Sequence, residues 1–182
     1  MSQLCMGCMQ PLPEGRSACG ICGYSADAKN PPEFLAAGTL LSERYLVGKV
    51  LTSGGDSAIY MGYDHVLKAP ITIREFFPET LCERLEDGNL RIISGCEQTF
   101  AEYKAKFLSH ARAVARLRDL PASIPVYDIF EQDNTAYTIR EFCEGVTLSE
   151  RLRQAGGRMK WDEVRPLFMP LISSINAMHM AG

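Results

Sequence analysis

The cysteines nearest the N-terminus form two pairs with the same spacing. Cys5 and Cys8 are separated by two residues, and so are Cys19 and Cys22, with ten residues between the pairs. Two intervening residues allow a tight turn to direct both sulfurs at one point, and the glycines within and beside the pairs give the backbone the freedom that such turns need. Two turns of this kind predict a tetrahedral zinc site. Because four thiolates complete the coordination, we expect a structural and not a catalytic metal.

Two other interpretations of these cysteines are a pair of disulfides and a disordered tail with free thiols. The paired spacing and a reducing compartment favour zinc. A segment of about 25 residues cannot build a core of its own, so the metal would supply its folding free energy. The first 30 residues contain two basic residues against two acidic ones, which gives little support to nucleic-acid binding by this segment.

The composition is that of an ordinary globular protein. Of 182 residues, 46% are hydrophobic and 23% are charged, and the formal net charge is −3. This balance excludes collagen-like, coiled-coil and disordered chains, and it leaves no excess positive charge for binding nucleic acid through its phosphates. No stretch approaches the roughly 18 apolar residues of a membrane-spanning helix, and the N-terminus lacks the features of a secretory signal. We therefore expect a soluble, cytoplasmic protein with reduced thiols and no membrane segment.

The segments that must position any functional residue change in character along the chain. Residues 25–43 are rich in proline and alanine, which is typical of a linker. Apolar residues then alternate as in strands, with a glycine-bearing turn at 53–56, and later recur at helical spacing. Two prolines should distort the last helix. The predicted elements are strands at 45–51, 58–63, 71–77, 124–131 and 136–142, a small hairpin around 86–89, and helices at 100–115, 148–154 and 161–180.

Several segments are similar to the N-terminal lobe of protein kinases. Residues 51–60 (LTSGGDSAIY) resemble the loop that covers the nucleotide phosphates, and residues 71–78 (ITIREFFP) resemble the third strand. Residues 107–112 resemble the helix that follows, residues 136–145 the fifth strand and hinge, and residues 178–182 the segment ahead of the catalytic loop. Together with the leading cysteines, these segments make the chain similar to bacterial serine/threonine kinases that carry a zinc ribbon ahead of the kinase domain.

The resemblance implies an α+β fold with a kinase-like N-terminal lobe, in which one main helix accompanies a five-stranded antiparallel sheet. It implies a zinc ribbon at 1–24, a linker at 25–43, the N-terminal lobe at 44–142, and the hinge with two helices of a truncated C-terminal lobe at 143–182. It also implies a cleft for ATP and magnesium. The candidate cofactor-binding residues are Gly54, Gly55, Ile59, Arg74, Glu141 and Cys143.

The positions that perform chemistry in the family are altered in this chain. Arg74 occupies the place of the lysine that holds the α- and β-phosphates, and His110 that of the glutamate that pairs with it. Arginine keeps the charge but is a planar fork, and histidine cannot act as its anionic partner. Of the three family glycines only Gly54 remains, while Thr72 lies over adenine and Arg140 at the back of the pocket.

The same alignment suggests a role for the unpaired arginines. A buried arginine without a partner is costly, and Asp56 is the nearest acid in the motif. We expect Arg74 or Arg140 to bind Asp56 and to draw the glycine loop down as a lid over an empty pocket.

These departures favour a pseudokinase or inactive fragment that acts by binding a protein partner. In the family, the catalytic and magnesium-binding aspartates follow the point at which this sequence stops, so the residues given would not perform the kinase reaction. The apolar face of the last helix would suit a protein partner. The alternative is a fragment of an active, atypical kinase that uses Arg74 in place of the lysine. A third hypothesis makes the ribbon a docking module for nucleic acid or protein and the lobe a spacer.

Overall fold

The structure is a computed structural model that describes residues 3–117 and 119–181. The predicted region limits at residues 1 and 182 lie outside the described residues, and the division into four regions stays a prediction. The elements in chain order are β1 (Gln3–Leu4), β2 (Pro11–Leu12), β3 (Leu40–Leu41), β4 (Tyr45–Gly54), β5 (Ser57–Asp64), β6 (Ala69–Phe76), β7 (Cys82–Arg84), β8 (Leu90–Ile92), α1 (Glu97–Ala115), β9 (Val126–Gln132), β10 (Thr135–Glu141), α2 (Leu148–Gln154) and α3 (Trp161–Ala181).

The main sheet has six strands in the order β3-β4-β5-β6-β10-β9, and every neighbouring pair is antiparallel. The expected sheet of five strands is therefore wrong by one. The additional strand, β3, contains two residues that pair with Tyr45 and Leu46. A strand of two residues cannot show the alternation of apolar and polar residues by which strands are recognised, so it was invisible in the sequence. Two small hairpins, β1-β2 and β7-β8, lie outside the main sheet.

Helix α1 covers one face of the sheet with the apolar residues that recur along it. Phe100, Phe107, Leu108 and Ala111 are buried on that side of the helix. Phe76 at the end of β6 lies between two of them, with ring centroids 5.1 Å from Phe100 and 5.5 Å from Phe107. Since aromatic pairs at such distances add to the burial of their area, this contact fixes α1 against β6.

The segment predicted as a linker packs on the opposite face of the sheet. Phe34 and Leu35 are buried in the main core. The side-chain amide of Asn30 donates to the carbonyls of Leu35 and Gly48 at 2.7 and 2.9 Å, and its oxygen accepts from the N–H of Val50 at 2.9 Å. Residues 30–35 are thus tied to β4 by side-chain hydrogen bonds.

The two C-terminal helices follow the predicted bounds closely. Thr147 caps α2 by accepting from the N–H of Glu150 at 3.1 Å. Helix α3 continues through both of its prolines. Of the apolar side chains expected to be exposed, Leu167, Leu171, Ile172 and Ile175 are exposed and Phe168 is half-buried. Trp161 and Met169 are exposed as well. Within the described residues, no helix has the length and apolar character needed to cross a bilayer.

Candidate functional site

The four N-terminal cysteines converge in the structure as the sequence predicts. Their sulfur atoms all lie within 4.8 Å of one another, with 3.6 Å between Cys5 and Cys22 and 3.7 Å between Cys8 and Cys19. Zinc–thiolate bonds of about 2.3 Å place the sulfurs of a regular tetrahedron about 3.8 Å apart. The cluster therefore has the size and the donor set of a four-thiolate zinc site.

Backbone N–H groups support the sulfurs of both turns. Gly7 donates to the sulfur of Cys5 at 3.3 Å, and Ile21 donates to that of Cys19 at 3.4 Å. The N–H groups of Cys22 and Ile21 lower the pKa of Cys19 to about 6, which favours a thiolate. Burial raises the pKa of Cys8 to about 12, so this sulfur ionises readily only beside a cation. These features fit a bound divalent metal, and Cys5, Cys8, Cys19 and Cys22 are the residues that would hold it.

The second candidate site lies on the face of the sheet that carries Arg74. Ile59 pairs with Arg74 on β6 and with Thr52 on β4, so these side chains share one face. Gly54 ends β4 and Gly55 begins the turn to β5, with φ values of 141° and 65°. Residues 54–57 are called the glycine turn below. Both values lie in the left-handed region that glycine tolerates best, and the turn therefore depends on these residues.

The remaining two candidate residues lie at the other end of the sheet, and Glu141 belongs to its opposite face because it pairs with Ile71. Glu141 ends β10 opposite Ile71, whereas the glycine turn lies beside Phe76. Five residues of strand separate the two ends, which corresponds to roughly 17 Å. Glu141 and Cys143 are both exposed. The structure thus aligns Gly54, Gly55, Ile59 and Arg74 along one half of the Arg74 face and places Glu141 and Cys143 at the other end of the sheet; their role in binding a nucleotide stays a prediction.

Arg74 binds the glycine turn directly. Its Nη2 lies 2.9 Å from Oδ1 of Asp56, and its Nε donates to Oγ of Ser57 at 3.0 Å. The guanidinium also stacks over the ring of Phe107 on α1, 4.8 Å from the centroid. Of the two arginines proposed to bind Asp56, the structure selects Arg74. The predicted ion pair between Asp56 and an arginine is therefore present, and it joins β6 to the glycine turn.

His110 does not take part in this arrangement. It is exposed on α1, one turn beyond Phe107. In the described part of the chain, the only acidic side chain in an ion pair with Arg74 is Asp56 of the turn, and the contact of Arg74 with α1 is aromatic. The lysine–glutamate pair that holds an active kinase lobe together thus has no counterpart between β6 and α1.

Arg140 lies on β10, on the same face of the sheet as Arg74. Thr138 pairs with Arg74, and Arg140 pairs with Thr72. The Nε of Arg140 and the hydroxyl of Thr138 are buried and have no hydrogen-bond partner among the described residues. Burial, together with the neighbouring positive charge of Arg74, lowers the pKa of Arg140. The face around Thr138 and Arg140 is therefore polar and carries a second positive charge beside Arg74.

A buried ionic network on the opposite face was missed by sequence reasoning. Glu75 is fully buried and accepts from the hydroxyls of Tyr60 and Tyr137 at 2.7 and 3.0 Å. Nη2 of Arg84 lies 2.7 Å from the same carboxylate, and its Nη1 donates to the carbonyl of Gly88 at 2.8 Å. The signal for it was available: Glu75 interrupts a strand at a position where alternation places Ile71 and Ile73 in the core.

Burial and the Glu75 carboxylate act together on the two tyrosines. Both raise the pKa of Tyr60 and of Tyr137, so these hydroxyls remain protonated donors. The hydroxyl of Tyr60 also accepts from the N–H of Leu35 at 3.2 Å. The network therefore joins β5, β6, β10 and the β7-β8 hairpin through one carboxylate, and the Tyr60 hydroxyl extends it to Leu35.

The comparisons with known proteins agree with this fold. No family model matches the chain. It is 32% identical over 143 residues to the serine/threonine-protein kinase PknL of Mycobacterium tuberculosis (strain ATCC 25618 / H37Rv), covering 79% of this chain and 31% of PknL. It is 25% identical over 142 residues to the serine/threonine-protein kinase PrkC of Bacillus subtilis (strain 168), covering 78% of this chain and 19% of PrkC.

Two solved structures share the architecture. One is described as the apo form of PpkA-294, with a TM-score of 0.75, 28% identity, and coverage of 82% of this chain and 53% of that chain. The kinase domain of Mycobacterium tuberculosis PknI has a TM-score of 0.59 and 16% identity, covering 81% and 52%, and it supports the fold alone. The chain spans about a third or less of the curated relatives and about half of these structures. Over about 80% of its length, the chain is distantly homologous to serine/threonine protein kinases.

Proposed function

We propose that this chain is a kinase-like lobe that acts by binding and does not use ATP for phosphoryl transfer. One observation carries the proposal: the guanidinium at the position of the nucleotide-binding lysine is bound to Asp56 and Ser57 of the glycine turn. A side chain that is engaged in this way holds the turn down on the cleft and is not free to bind phosphate. The carboxylate of Asp56 would also repel an incoming phosphate.

The rest of the cleft supports the same proposal. The α1 residue in contact with Arg74 is Phe107 and not an acid, so nothing on this helix orients the guanidinium toward a phosphate. Arg140 brings a second positive charge to the place where the resemblance puts the back of the adenine pocket. Mg-ATP binding requires an oriented cation for the phosphates and an apolar slot for the base, and both are altered here.

The test uses the complete product of the gene. Binding of Mg-ATP is measured by isothermal titration calorimetry, and phosphoryl transfer is measured with radiolabelled ATP and a generic protein substrate. We expect neither binding nor transfer above the level of a boiled control. Transfer that is lost in an Arg74→Ala variant would contradict the proposal.

A second candidate function is that of an atypical kinase in which Arg74 replaces the lysine. It is favoured by the shared sheet face, which aligns the glycine turn, Ile59 and Arg74 in the order that a bound nucleotide requires. On this hypothesis, the pair between Arg74 and Asp56 opens when ATP arrives. The Asp56→Ala variant separates the two functions, because it should increase ATP turnover if the pair is a gate and should leave turnover absent if the lobe only binds.

We also infer that the four cysteines hold one structural zinc ion. The sulfur separations and the supporting N–H groups carry this assignment. Native mass spectrometry of the protein purified without added metal should show one zinc per chain, and a protein that carries no metal and takes up none would contradict it.

The exposed apolar side chains of α3 make a protein surface the natural partner for this region. Trp161 is 68% exposed and Ile172 is 55% exposed, which is costly in water unless a further part of the protein or another protein covers them. Hydrogen exchange of residues 161–175 tests this, with the protein isolated from its native source compared with the purified 182-residue chain. We expect more protection of these residues in the native sample, and equal protection would contradict a covering partner.

A further inference from the structure

Strand β4 is irregular at the point where the cysteine ribbon meets it. Its pairing with β5 steps from Val47 opposite Gly62 to Val50 opposite Tyr60, so Gly48 and Lys49 share the space opposite Met61. This is the arrangement of a β-bulge, which leaves backbone groups without partners in the ladder. Because β3 pairs only with Tyr45 and Leu46, β4 from the bulge onward is an edge strand, and β5 is its one partner within the sheet.

The ribbon supplies the missing partner. The N–H of Lys49 donates to the carbonyl of Met6 at 2.8 Å, and Met6 lies between the first two cysteines of the cluster. The neighbouring groups of the bulge, the carbonyl of Gly48 and the N–H of Val50, bind the side chain of Asn30. The backbone of a metal-binding turn is therefore hydrogen-bonded to the strand that leads to the glycine turn.

The packing at this junction leaves no free space. A Cβ atom on Gly48 would lie 2.3 Å from Cε of Met9 and 2.5 Å from the carbonyl oxygen of Met6. Met9 is buried, with 2% of its surface exposed. The ammonium of Lys49 lies 5.8 Å from the ring centroid of Tyr24, and that ring packs against Gly7, where a Cβ would lie 2.6 Å from Cγ of Tyr24. A shift of the ribbon must therefore move β4 or break these contacts.

Between the bulge and the glycine turn, β4 continues as one strand, with a second irregularity in its pairing between Val50 and Thr52. Lys49 precedes Gly54 by five residues, and residues 51–55 are exposed. An exposed edge strand has few contacts that could absorb a change at the bulge before it reaches the turn and Asp56. The ribbon has a small core of its own, formed by cysteines, Leu12 and Tyr24, so its order depends on what holds the sulfurs together.

We propose that the ribbon is a metal-dependent clamp on β4, so that loss of the metal frees the bulge and loosens the glycine turn bound by Arg74. This inference rests on the proposed zinc site, and it adds that the metal's effect extends beyond the ribbon to the cleft. Gain or loss of the metal at the four thiols would then change the mobility of the glycine turn.

Hydrogen exchange of the full chain, followed by mass spectrometry, tests the clamp. Removal of zinc with a chelator should speed the exchange of residues 48–55 by about fivefold, the effect of losing one ordinary hydrogen bond and its packing. Residues 135–141 in the centre of the sheet should not change. Zinc loss is checked in the same samples by metal analysis.

Two glycine variants test the junction without altering a cysteine. Gly48→Ala places a methyl group against Met9 and Met6 and should speed exchange at 48–55 with zinc still bound. Gly20→Ala is the matched control, because a Cβ there meets no atom within 4 Å, and it should leave exchange unchanged. If the protein neither carries nor takes up zinc, both the zinc site and the clamp are wrong. If zinc is bound but neither its removal nor Gly48→Ala changes exchange at 48–55, the clamp alone is wrong.

Discussion

The guanidinium of Arg74 reaches from the middle of β6 to the carboxylate of Asp56 in the turn between β4 and β5, with 2.9 Å between Nη2 and Oδ1. Side-chain exposure is 26% for Arg74 and 49% for Asp56, so water screens the pair. Such a pair contributes little to global stability. Its effect is local, because it joins a glycine-bearing turn to a strand in the centre of the sheet.

Replacement of Asp56 should therefore release the turn more than it destabilises the protein. For Asp56→Ala we expect a loss of at most about 1 kcal/mol in the free energy of unfolding, because the pair is partly exposed. Exchange of residues 53–57 should become severalfold faster, since the side-chain tether is lost. Urea unfolding and hydrogen exchange measure the two effects.

The matched control for this variant is Glu83→Ala. Glu83 forms an exposed pair with Arg91 on the β7-β8 hairpin, with 2.5 Å between Nη2 and Oε1. The Glu83→Ala variant should lose a similar free energy of unfolding and leave the exchange of residues 53–57 unchanged. Equal exchange at residues 53–57 in wild type and Asp56→Ala would show that Arg74 does not restrain the glycine turn.

The buried pair of Glu75 and Arg84 should behave in the opposite way. The two side chains are 0% and 3% exposed, so removing one partner strands a charge in the core. We expect Arg84→Met to cost about 3–5 kcal/mol in urea unfolding. A second change, Glu75→Gln, should recover much of this loss, because it removes the stranded charge.

Arg91→Met is the control for that experiment. Arg91 is 62% exposed, and its replacement should cost less than about 1 kcal/mol. If Arg84→Met costs no more than Arg91→Met, the network around Glu75 is not a stabilising feature of the lobe.

Asp64 should make the protein sensitive to acid. Burial acts to raise its pKa, but the Arg44 guanidinium and the N–H groups of Val66 and Leu67 outweigh burial and hold the pKa below its ordinary value of 3.8. A carboxylate with a lowered pKa in the folded state stabilises that state above the ordinary value. This contribution is lost as the pH falls through the lowered value.

The Asp64→Asn variant tests this dependence. At pH 7 we expect a loss of roughly 1.5–3 kcal/mol, because the Asp64 side chain is buried and its hydrogen bond with Arg44 joins two charged groups. The difference from wild type should shrink as the pH falls below about 4, because Asp64 of the unfolded state is then protonated, and it should vanish once the pH has fallen through the lowered pKa of the folded state. Urea midpoints at pH 7, 5, 4 and 3 measure it, and a difference that stays constant over this range would contradict the assignment.

Metal removal should disorder the ribbon and leave the sheet folded. The sheet has its own large core, whereas the ribbon core contains chiefly the cysteines with Leu12 and Tyr24. Trypsin should cut after Arg16 much faster in chelator than in zinc. Cleavage after Arg140, which lies in β10, should remain slow in both conditions. Equal cleavage at Arg16 with and without the chelator would argue against a structural metal.

The sequence predicted the regular elements well where periodicity was strong. Helix α1 was predicted at 100–115 and spans Glu97–Ala115, and the hairpin of β9 and β10 was predicted within two residues at each of its ends. The contact of Asp56 with an arginine was also predicted from the resemblance, with Arg74 and Arg140 as alternatives, and the structure has Arg74. A buried cation needs a partner, and the motif offered one nearby acid.

Other features depended on contacts that the sequence pattern does not contain. Residues 25–43 have the composition of a linker, yet Phe34, Leu35 and Leu41 are buried in the main core and Leu40–Leu41 form β3. The docking of the ribbon on β4 depends on a bulge at Gly48, which has no residue pattern of its own. Glu75 was overlooked because a single acid in a strand is usually exposed, and its partner Arg84 lies on a hairpin nine residues away.

Arg74 and Glu75 are consecutive residues of β6 and lie on opposite faces of the sheet. Arg74 contacts the glycine turn and α1 on one face, and Glu75 is buried among two tyrosines and an arginine on the other. Replacement of Arg74 by lysine would therefore leave the contacts of Glu75 intact. Substitutions at alternate positions of β6 can change the Arg74 face while the intervening residues keep the lobe folded.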